Sequence, residues 1–334
     1  MTQKTIGVAI VSFASSDVIE DCLNSLLTSD YNDLKIVVCD NASPDNSRAL
    51  IRTWAANAGV SFQEVGQDTK FSKIDAHVTM INADVNLGYA GGVNQCLAYL
   101  QQDPDVGLFW VLNPDCEVES TTASDFAAHA ARAGDFSLMG SRVLYNRADR
   151  AIQSDGGRVN RWTGVCSNLN QGANADTAIR PHIDSLDFIS GANLVASRKF
   201  IETVGLMRED YFLYYEEVDW AMRRGDLPLT WCDGALVHHH GGTAIGSGGH
   251  DTAASGFSNY FNFRNRMWFM ARFNKRALPI AYIYTLLKVV KIRLKDGREN
   301  AQGAWFGLNN MSPPKHIHDR IAPEARDRAF SKWL

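Results

Sequence analysis

The sequence predicts an α/β fold with a mainly parallel sheet flanked by helices, and three observations predict it. Short apolar, β-branched runs alternate with segments of helical periodicity through the first third of the chain. Two of those runs close on aspartates, Asp40 and Asp115, at the strand ends where such sheets collect ligands. The 334 residues are 45% hydrophobic with a net charge of −4, enough apolar material for one large domain or two small ones. That balance excludes disorder as the main description and argues against a dedicated nucleic-acid binder.

Residues 6–11 form a short β-branched run, as expected of a strand buried on both faces. Asp17 and Glu20 mark a helix start, after which Val18, Ile19, Cys22, Leu23, Leu26 and Leu27 recur at helical spacing. Residues 34–39 make the second strand. Ser43 as N-cap with Pro44 at the first helical position then predicts a helix that Gly59 stops. A strand at 78–81, a glycine-rich turn, a helix to about Gln101 and a strand at 107–112 follow. Beyond these the pattern predicts a helix at 121–133, a strand at 137–145, a loop-rich stretch at 156–178 and a helix at 198–204. After about Phe257 the chain becomes aromatic and basic, predicting a helical C-terminal appendage.

The six cysteines are scattered without a CxxC pair and read as buried thiols of a cytosolic protein. The N-terminus lacks a basic-then-apolar leader pattern, and the apolar run at 277–287 is too short to span a bilayer. A soluble protein is the expectation.

Five motifs carry chemistry. Asp40-Asn41 closes the second strand, where the pair either caps a turn or presents a carboxylate to a pyrimidine N–H. The segment Asn86-Leu87-Gly88-Tyr89-Ala90-Gly91-Gly92 is either a helix-entry loop or a loop that lets backbone N–H groups approach a ligand. It is not GxGxxG, which disfavours a dehydrogenase. Asn113-Pro114-Asp115 is either an acidic turn or a source of oxygen ligands for a divalent cation bridging to a diphosphate. Glu216, Glu217 and Asp219 crowd three carboxylates beside Phe212-Leu213-Tyr214-Tyr215. A carboxyl held against apolar rings gains proton affinity, which suits a general base. Finally, His238-His239-His240-Gly241-Gly242 ends a strand-like run whose alternation prevents all three imidazoles from pointing one way.

The ordered series VAIVSF, VVCDNASPDNS, NLGYAGGVNQ, FWVLNPD, SGANLVASRKFIETVGLM, YFLYYEEVDWAMR, HHHGG and FRNRMWF resembles the family 2 inverting glycosyltransferases over about residues 6–269. It is most similar to the bacterial branch with rhamnosyltransferases of O-antigen, capsule or cell-wall assembly. The resemblance implies a GT-A domain at 1–256, with a nucleotide-sugar half at 1–115 and an acceptor half at 116–256, followed by a helical region at 257–334. It further implies Mg²⁺ or Mn²⁺ at Asp115 and His239, with Glu217 as base and Asp219 beside it. Donor contacts are implied for Ser12, Asp40, Asn41, Asn86, Gly88, Gly91, Asn113 and Arg223, and acceptor contacts for Gly191, Glu216 and Trp220. The family's acidic pair stands here as Glu216-Glu217, and Thr243-Ala244 stands where many relatives have a serine.

The activity so implied is inverting transfer of a sugar from a dTDP- or UDP-sugar, L-rhamnose first, to a hydroxyl of a glycan or lipid-linked glycan. Galactofuranosyl, galactosyl or N-acetylglucosaminyl transfer and a non-catalytic sugar-binding scaffold are the alternatives. A pyrophosphorylase is disfavoured, since Ser12-Phe13-Ala14-Ser15-Ser16 follows the first strand in place of a glycine- and arginine-rich loop. The basic, apolar C-terminal segment fits either a helix packed on its own domain or on another subunit, as in a homodimer, or contact with the inner face of the cytoplasmic membrane.

Overall fold

The computed structural model describes residues 5–67, 69–70, 73–241 and 253–332. Gly242 and Thr243-Ala244 lie outside them. The first part of the chain runs β1 (Thr5–Ser12), α1 (Ile19–Leu27), β2 (Leu34–Asp40), α2 (Ser47–Ala58), β3 (Phe62–Gly66), β4 (Val78–Asn82), α3 (Gly88–Gln101) and β5 (Val106–Leu112). The middle adds β6 (Cys116–Val118), α4 (Thr122–Ala133), β7 (Leu138–Tyr145), β8 (Ile152–Ser154), β9 (Gly157–Val159), β10 (Cys166–Asn168), β11 (Asn193–Ser197), α5 (Arg198–Val204), α6 (Glu216–Met222) and β12 (Thr230–His239). The appendage comprises α7 (Gly256–Phe273), α8 (Leu278–Lys295), α9 (Arg298–Leu308), α10 (Lys315–His318) and α11 (Arg326–Ala329).

The main sheet has the order β3-β4-β2-β1-β5-β11-β7-β12-β6, with β8 on β7. Strands β3, β4, β2, β1 and β5 are mutually parallel; β11 runs antiparallel to both β5 and β7. Alternation along the strands feeds two cores. Ile6, Val8 and Ile10 of β1 pack with α1 and α2, while Ala9 and Val11 face α3 on the other side.

Two expectations need correction. Ser43-Pro44 does not start the second helix, because Asp40 Oδ1 accepts the Ser43 N–H at 3.3 Å and Ser43 Oγ donates to the Ser12 carbonyl at 3.3 Å. That tie holds the turn against β1 and delays α2 to Ser47, whereas Gly59 does end it in a left-handed conformation (φ 65°). Strands β3, β6 and β11 were not expected, nor were the three-residue strands β8, β9 and β10, the last two inside the stretch expected to be loop. β3 is a half-exposed edge strand and β6, β8, β9 and β10 have three residues each, too polar or too short to show a period.

Candidate active site

The sheet's topology decides which side chains meet. Ser12 pairs with Asp40, and Asp40 with Asn82, so the C-terminal ends of β1, β2 and β4 are level. Antiparallel β11 begins where β5 ends, and the Asn113 N–H donates to the Ala192 carbonyl at 3.0 Å, bringing the turn 190–192 to the same rim. His239 of β12 pairs with Cys116 of β6, which puts its imidazole beside Asp115. The result is one cleft of about 430 Å³ whose walls include Asn41, Asn86, Gly88, Asn113, Asp115, Gly191, Glu216, Glu217 and His239.

One wall is stapled by side chains. Asn41 Nδ2 donates to the Gly88 carbonyl at 3.0 Å and to Asn86 Oδ1 at 3.2 Å, and Asn41 Oδ1 accepts the Leu87 N–H at 2.8 Å. Gly88 has φ 76°, and a Cβ there would stand 2.5 Å from the Phe212 carbonyl, so both conformation and space require glycine. Tyr89 donates its N–H to that same carbonyl at 2.7 Å. Its hydroxyl lies 3.0 Å from Asn113 Oδ1 and 2.7 Å from the Gly191 carbonyl, linking three segments far apart in sequence.

The opposite wall is the acidic pair. Phe212, Tyr214 and Tyr215, immediately before α6, have φ of 62°, 71° and 75°, a region that non-glycine residues enter at a cost of about 1–3 kcal/mol each. Two buried neighbours on α7 hold them there. Asn265 Nδ2 lies within 2.7–2.9 Å of the carbonyls of Tyr211, Leu213 and Tyr214, and Arg264 Nη2 donates to Tyr211 O at 2.8 Å. Arg264 is fully buried. Its guanidinium lies 4.3 Å from the Trp268 ring and also donates to the Ala329 carbonyl at 2.6 Å. Burial lowers its pKa to about 10, which leaves it charged at neutral pH.

Glu216 is buried, and its Oε2 has no hydrogen-bond partner. Burial, reinforced by the charge of Glu217, raises its pKa. Burial also raises Glu217, partly opposed by backbone N–H groups. Glu217 is only half-buried, and its Cγ would be 3.4 Å from a Cβ on Gly191, so that glycine keeps the space beside the carboxyl open. Of the pair, Glu217 is the one a ligand can reach.

At the cleft's third corner, His239 Nε2 lies 3.0 Å from Asp115 Oδ1. His239 Nδ1 lies 2.5 Å from Gln153 Oε1, which fixes the ring with Nε2 turned to the Asp115 carboxylate and 3.2 Å from Asn113 Nδ2. Burial would raise the Asp115 pKa, but the His239 contact and the Gly241 N–H outweigh it and hold the carboxyl below its usual range. A carboxylate oxygen and an imidazole nitrogen converging in this way fit a divalent cation that takes the place of a proton on Nε2, since octahedral ions with bonds of about 2.1 Å place adjacent ligands about 3 Å apart. Cys116 offers a sulfur within 4.8 Å of both atoms, but it is fully buried and directs its thiol to the Ala192 carbonyl at 3.5 Å. Among the three histidines alternation holds: His239 turns inward, while His238 and His240 pair outward with Glu119 and Glu117.

Several expected site residues do not line the cleft. Trp220 is wholly buried, donates Nε1–H to the Gly205 carbonyl at 2.9 Å and packs on Phe200, so it is a core side chain, not an acceptor contact. Asp219 and Arg223 form an i,i+4 pair at 2.7 Å. Tyr211 Oη donates to Asp219 at 3.1 Å, and Arg223 spends its other donors on the carbonyls of Val204 and Leu206. They brace α6 from behind. Gly91 sits inside α3, where a Cβ would meet the Leu87 Cβ at 2.6 Å. Ser12 is buried against Ser15 Oγ at 2.6 Å. Asp40 is also buried beneath the rim; Arg48 donates to its Oδ1 at 2.7 Å, and Oδ2 has no partner.

The lining also includes Gln153, Tyr145 and Gln171, which the sequence reading passed over, and Phe257, Arg320 and Ile321 from the appendage. Arg320 stacks on the Phe257 ring at 4.5 Å. The FRNRMWF run was part of the recognised series, yet nothing local in it announces that Arg264 and Asn265 clamp a loop fifty residues earlier.

Residues 7–165 match the family model described as Glycosyl transferase family 2. The low-salt glycan biosynthesis hexosyltransferase Agl10 of Haloferax volcanii is 22% identical over 242 residues, covering 70% of this chain and 74% of its own. The crystal structure of S. aureus TarS 1–349 superposes with a TM-score of 0.54 at 12% identity, covering 98% of this chain and 88% of that one. The mannosyltransferase PcManGT from Pyrobaculum calidifontis, in complex with GDP-Man and Mn²⁺, gives 0.52 at 13% identity, covering 99% and 87%. The fold is thus GT-A with added C-terminal helices, and residues 7–165 are similar to the Glycosyl transferase family 2 model.

Proposed function

We propose, with the similarity of residues 7–165 to the Glycosyl transferase family 2 model as premise, that the chain is an inverting glycosyltransferase that moves a sugar from a nucleotide sugar to a hydroxyl of a glycan or lipid-linked glycan. The observation that carries the proposal is the single cleft shared by Asp115, His239 and Glu217. TarS has been solved with UDP-GlcNAc and PcManGT with GDP-Man, which supports a nucleotide-sugar donor by likeness, and Agl10, named a hexosyltransferase, supports transfer of a hexose.

Glu217 is the proton acceptor in this proposal. It is the more exposed of two carboxyls whose proton affinity burial raises, and it faces open space beside Gly191. Glu216 keeps that site poor in negative charge when protonated. Asp115 and His239 are proposed to hold Mg²⁺ or Mn²⁺. Such an ion, when bound, neutralises charge on the departing diphosphate. Asn41, Asn86 and Gly88 support the wall around the ribose, while Asp40, buried beneath the rim, stays the base-reading residue on the motif series alone. Attack and departure on opposite faces of the sugar would invert its configuration.

L-Rhamnose from dTDP-rhamnose stays the first donor proposed, on the motif series alone. A thermal-shift panel of dTDP-rhamnose, UDP-galactose, UDP-galactofuranose, UDP-N-acetylglucosamine and GDP-mannose, each with and without Mn²⁺ or Mg²⁺, tests it. A ligand at 100 times its Kd stabilises by about 2.7 kcal/mol, a readable shift. Stabilisation by one of them only with metal is expected, and no shift with any of them counts against the proposal.

A further inference from the structure

We propose that the outer face of α8 docks on an anionic phospholipid surface. The helix buries Ala281, Thr285 and Val289 against its neighbours. Its opposite side exposes Ile280, Ile283, Leu287, Val290 and Leu294, from 47% up to 83%. Spacings of three and four residues keep these five in one stripe. Trp305 of α9 extends the apolar surface, and with Val290 and Leu294 it borders a shallow groove. Large apolar side chains are normal on a surface when scattered, but a continuous row along a helix marks an interaction site.

Charge selects the occupant. The helix holds four cations, Lys288, Lys291, Arg293 and Lys295, and no carboxylate, in a chain whose net charge is −4. Helical spacing sets the three lysines along one flank of the stripe and Arg293 along the other. Lys275 and Arg276 precede the helix and Arg298 follows it. Among the described residues none of these seven forms an ion pair. A second copy pairing through this face would set one unpaired cationic helix against another. An anionic bilayer answers both features: the stripe enters the headgroup boundary while lysine stems reach back to the phosphates. No helix among the described residues is long and apolar enough to cross a membrane, so the contact lies in the interface plane.

The full chain is sedimented with phosphatidylcholine vesicles with and without phosphatidylglycerol, and its mass in solution is measured by light scattering; no sugar donor is needed. Binding is expected only with phosphatidylglycerol and should weaken with added salt. The triple variant K288Q/K291Q/K295Q should bind about 100-fold more weakly, and I283D/L287D should lose binding. Ile283, Leu287, Lys291 and Lys295 are exposed and Lys288 is half-buried over the Tyr284 ring, so the unfolding temperatures of both variants should stay close to the parent's. Absence of phosphatidylglycerol-dependent binding, binding unchanged in the charge variant, or a dimer that I283D/L287D splits would each overturn the proposal, the last by showing that a second copy covers the stripe.

Discussion

Asn41, Asn113 and Asp115 stand within three residues of the strands β2 and β5, so one wall of the cleft is positioned by a parallel sheet and its backbone ladders. Glu216 and Glu217 instead open a seven-residue helix, after a loop that holds three aromatic residues at positive φ. That wall keeps its shape only because Asn265, Arg264 and the Tyr89 N–H occupy four of the loop's carbonyls. The difference teaches where each kind of mutation should act. Changes at strand ends alter what the cleft binds, whereas changes behind the acidic loop alter where the proton acceptor stands.

The largest effect is expected at Glu217. Glu217→Gln should lower transfer by about 100-fold or more while leaving donor affinity within about twofold, because the amide keeps the shape and cannot take a proton. Initial rates with a competent acceptor, beside donor titrations, check it; near-normal turnover would move the base elsewhere.

Next comes the clamp. Asn265→Ala removes a donor shared by three closely spaced carbonyls in a buried loop, of which only Tyr211 O keeps the Arg264 guanidinium, and should cost about 2–4 kcal/mol in urea unfolding. It should also lower kcat more than it raises the donor KM. A variant with normal stability and kcat would show that the loop holds its shape without α7, erasing the contrast between the two walls.

The smallest effect concerns pH. Burial raises both carboxyls, and the Glu217 charge raises Glu216 further. Because the base must be unprotonated, turnover should climb with pH through a limb above the ordinary carboxylate range. The Glu217 charge raises Glu216 but not the reverse, so Glu216 keeps its proton while Glu217 titrates and Glu216→Gln should leave that limb in place. The sign for stability is opposite to that for activity. These raised groups contribute stability below the ordinary carboxyl pKa and lose it as pH rises through the folded-state values. A limb that moves to lower pH in the variant would mean that Glu216 carries charge while Glu217 titrates.

How much was legible follows the same division. The strands at 6–11, 34–39 and 107–112 and the helix stop at Gly59 were readable because buried parallel strands are continuous apolar runs and left-handed caps favour glycine. The meeting of Asp115 with His239 was implied by the motif resemblance and not by local pattern, since it depends on a β6–β12 pairing that the three residues of β6 do not announce. Asp219, Arg223 and Trp220 looked functional because charge and aromatics in a motif read alike whether they face a ligand or the core. Only the tertiary contacts to the carbonyls of Val204, Leu206 and Gly205 separate them. The Ser43-Pro44 helix start failed for a related reason, since the serine's hydrogen bonds went to Ser12 and Asp40.

Calorimetric titration of a nucleoside diphosphate with Mn²⁺ into the parent chain, Asp115→Asn and Glu217→Gln bears most directly on the shared cleft. The expected result is Mn²⁺-dependent binding by the parent and by Glu217→Gln, with loss of that binding in Asp115→Asn. Binding that survives in Asp115→Asn, or that never depends on the metal, would contradict the joint placement of cation, diphosphate and proton acceptor.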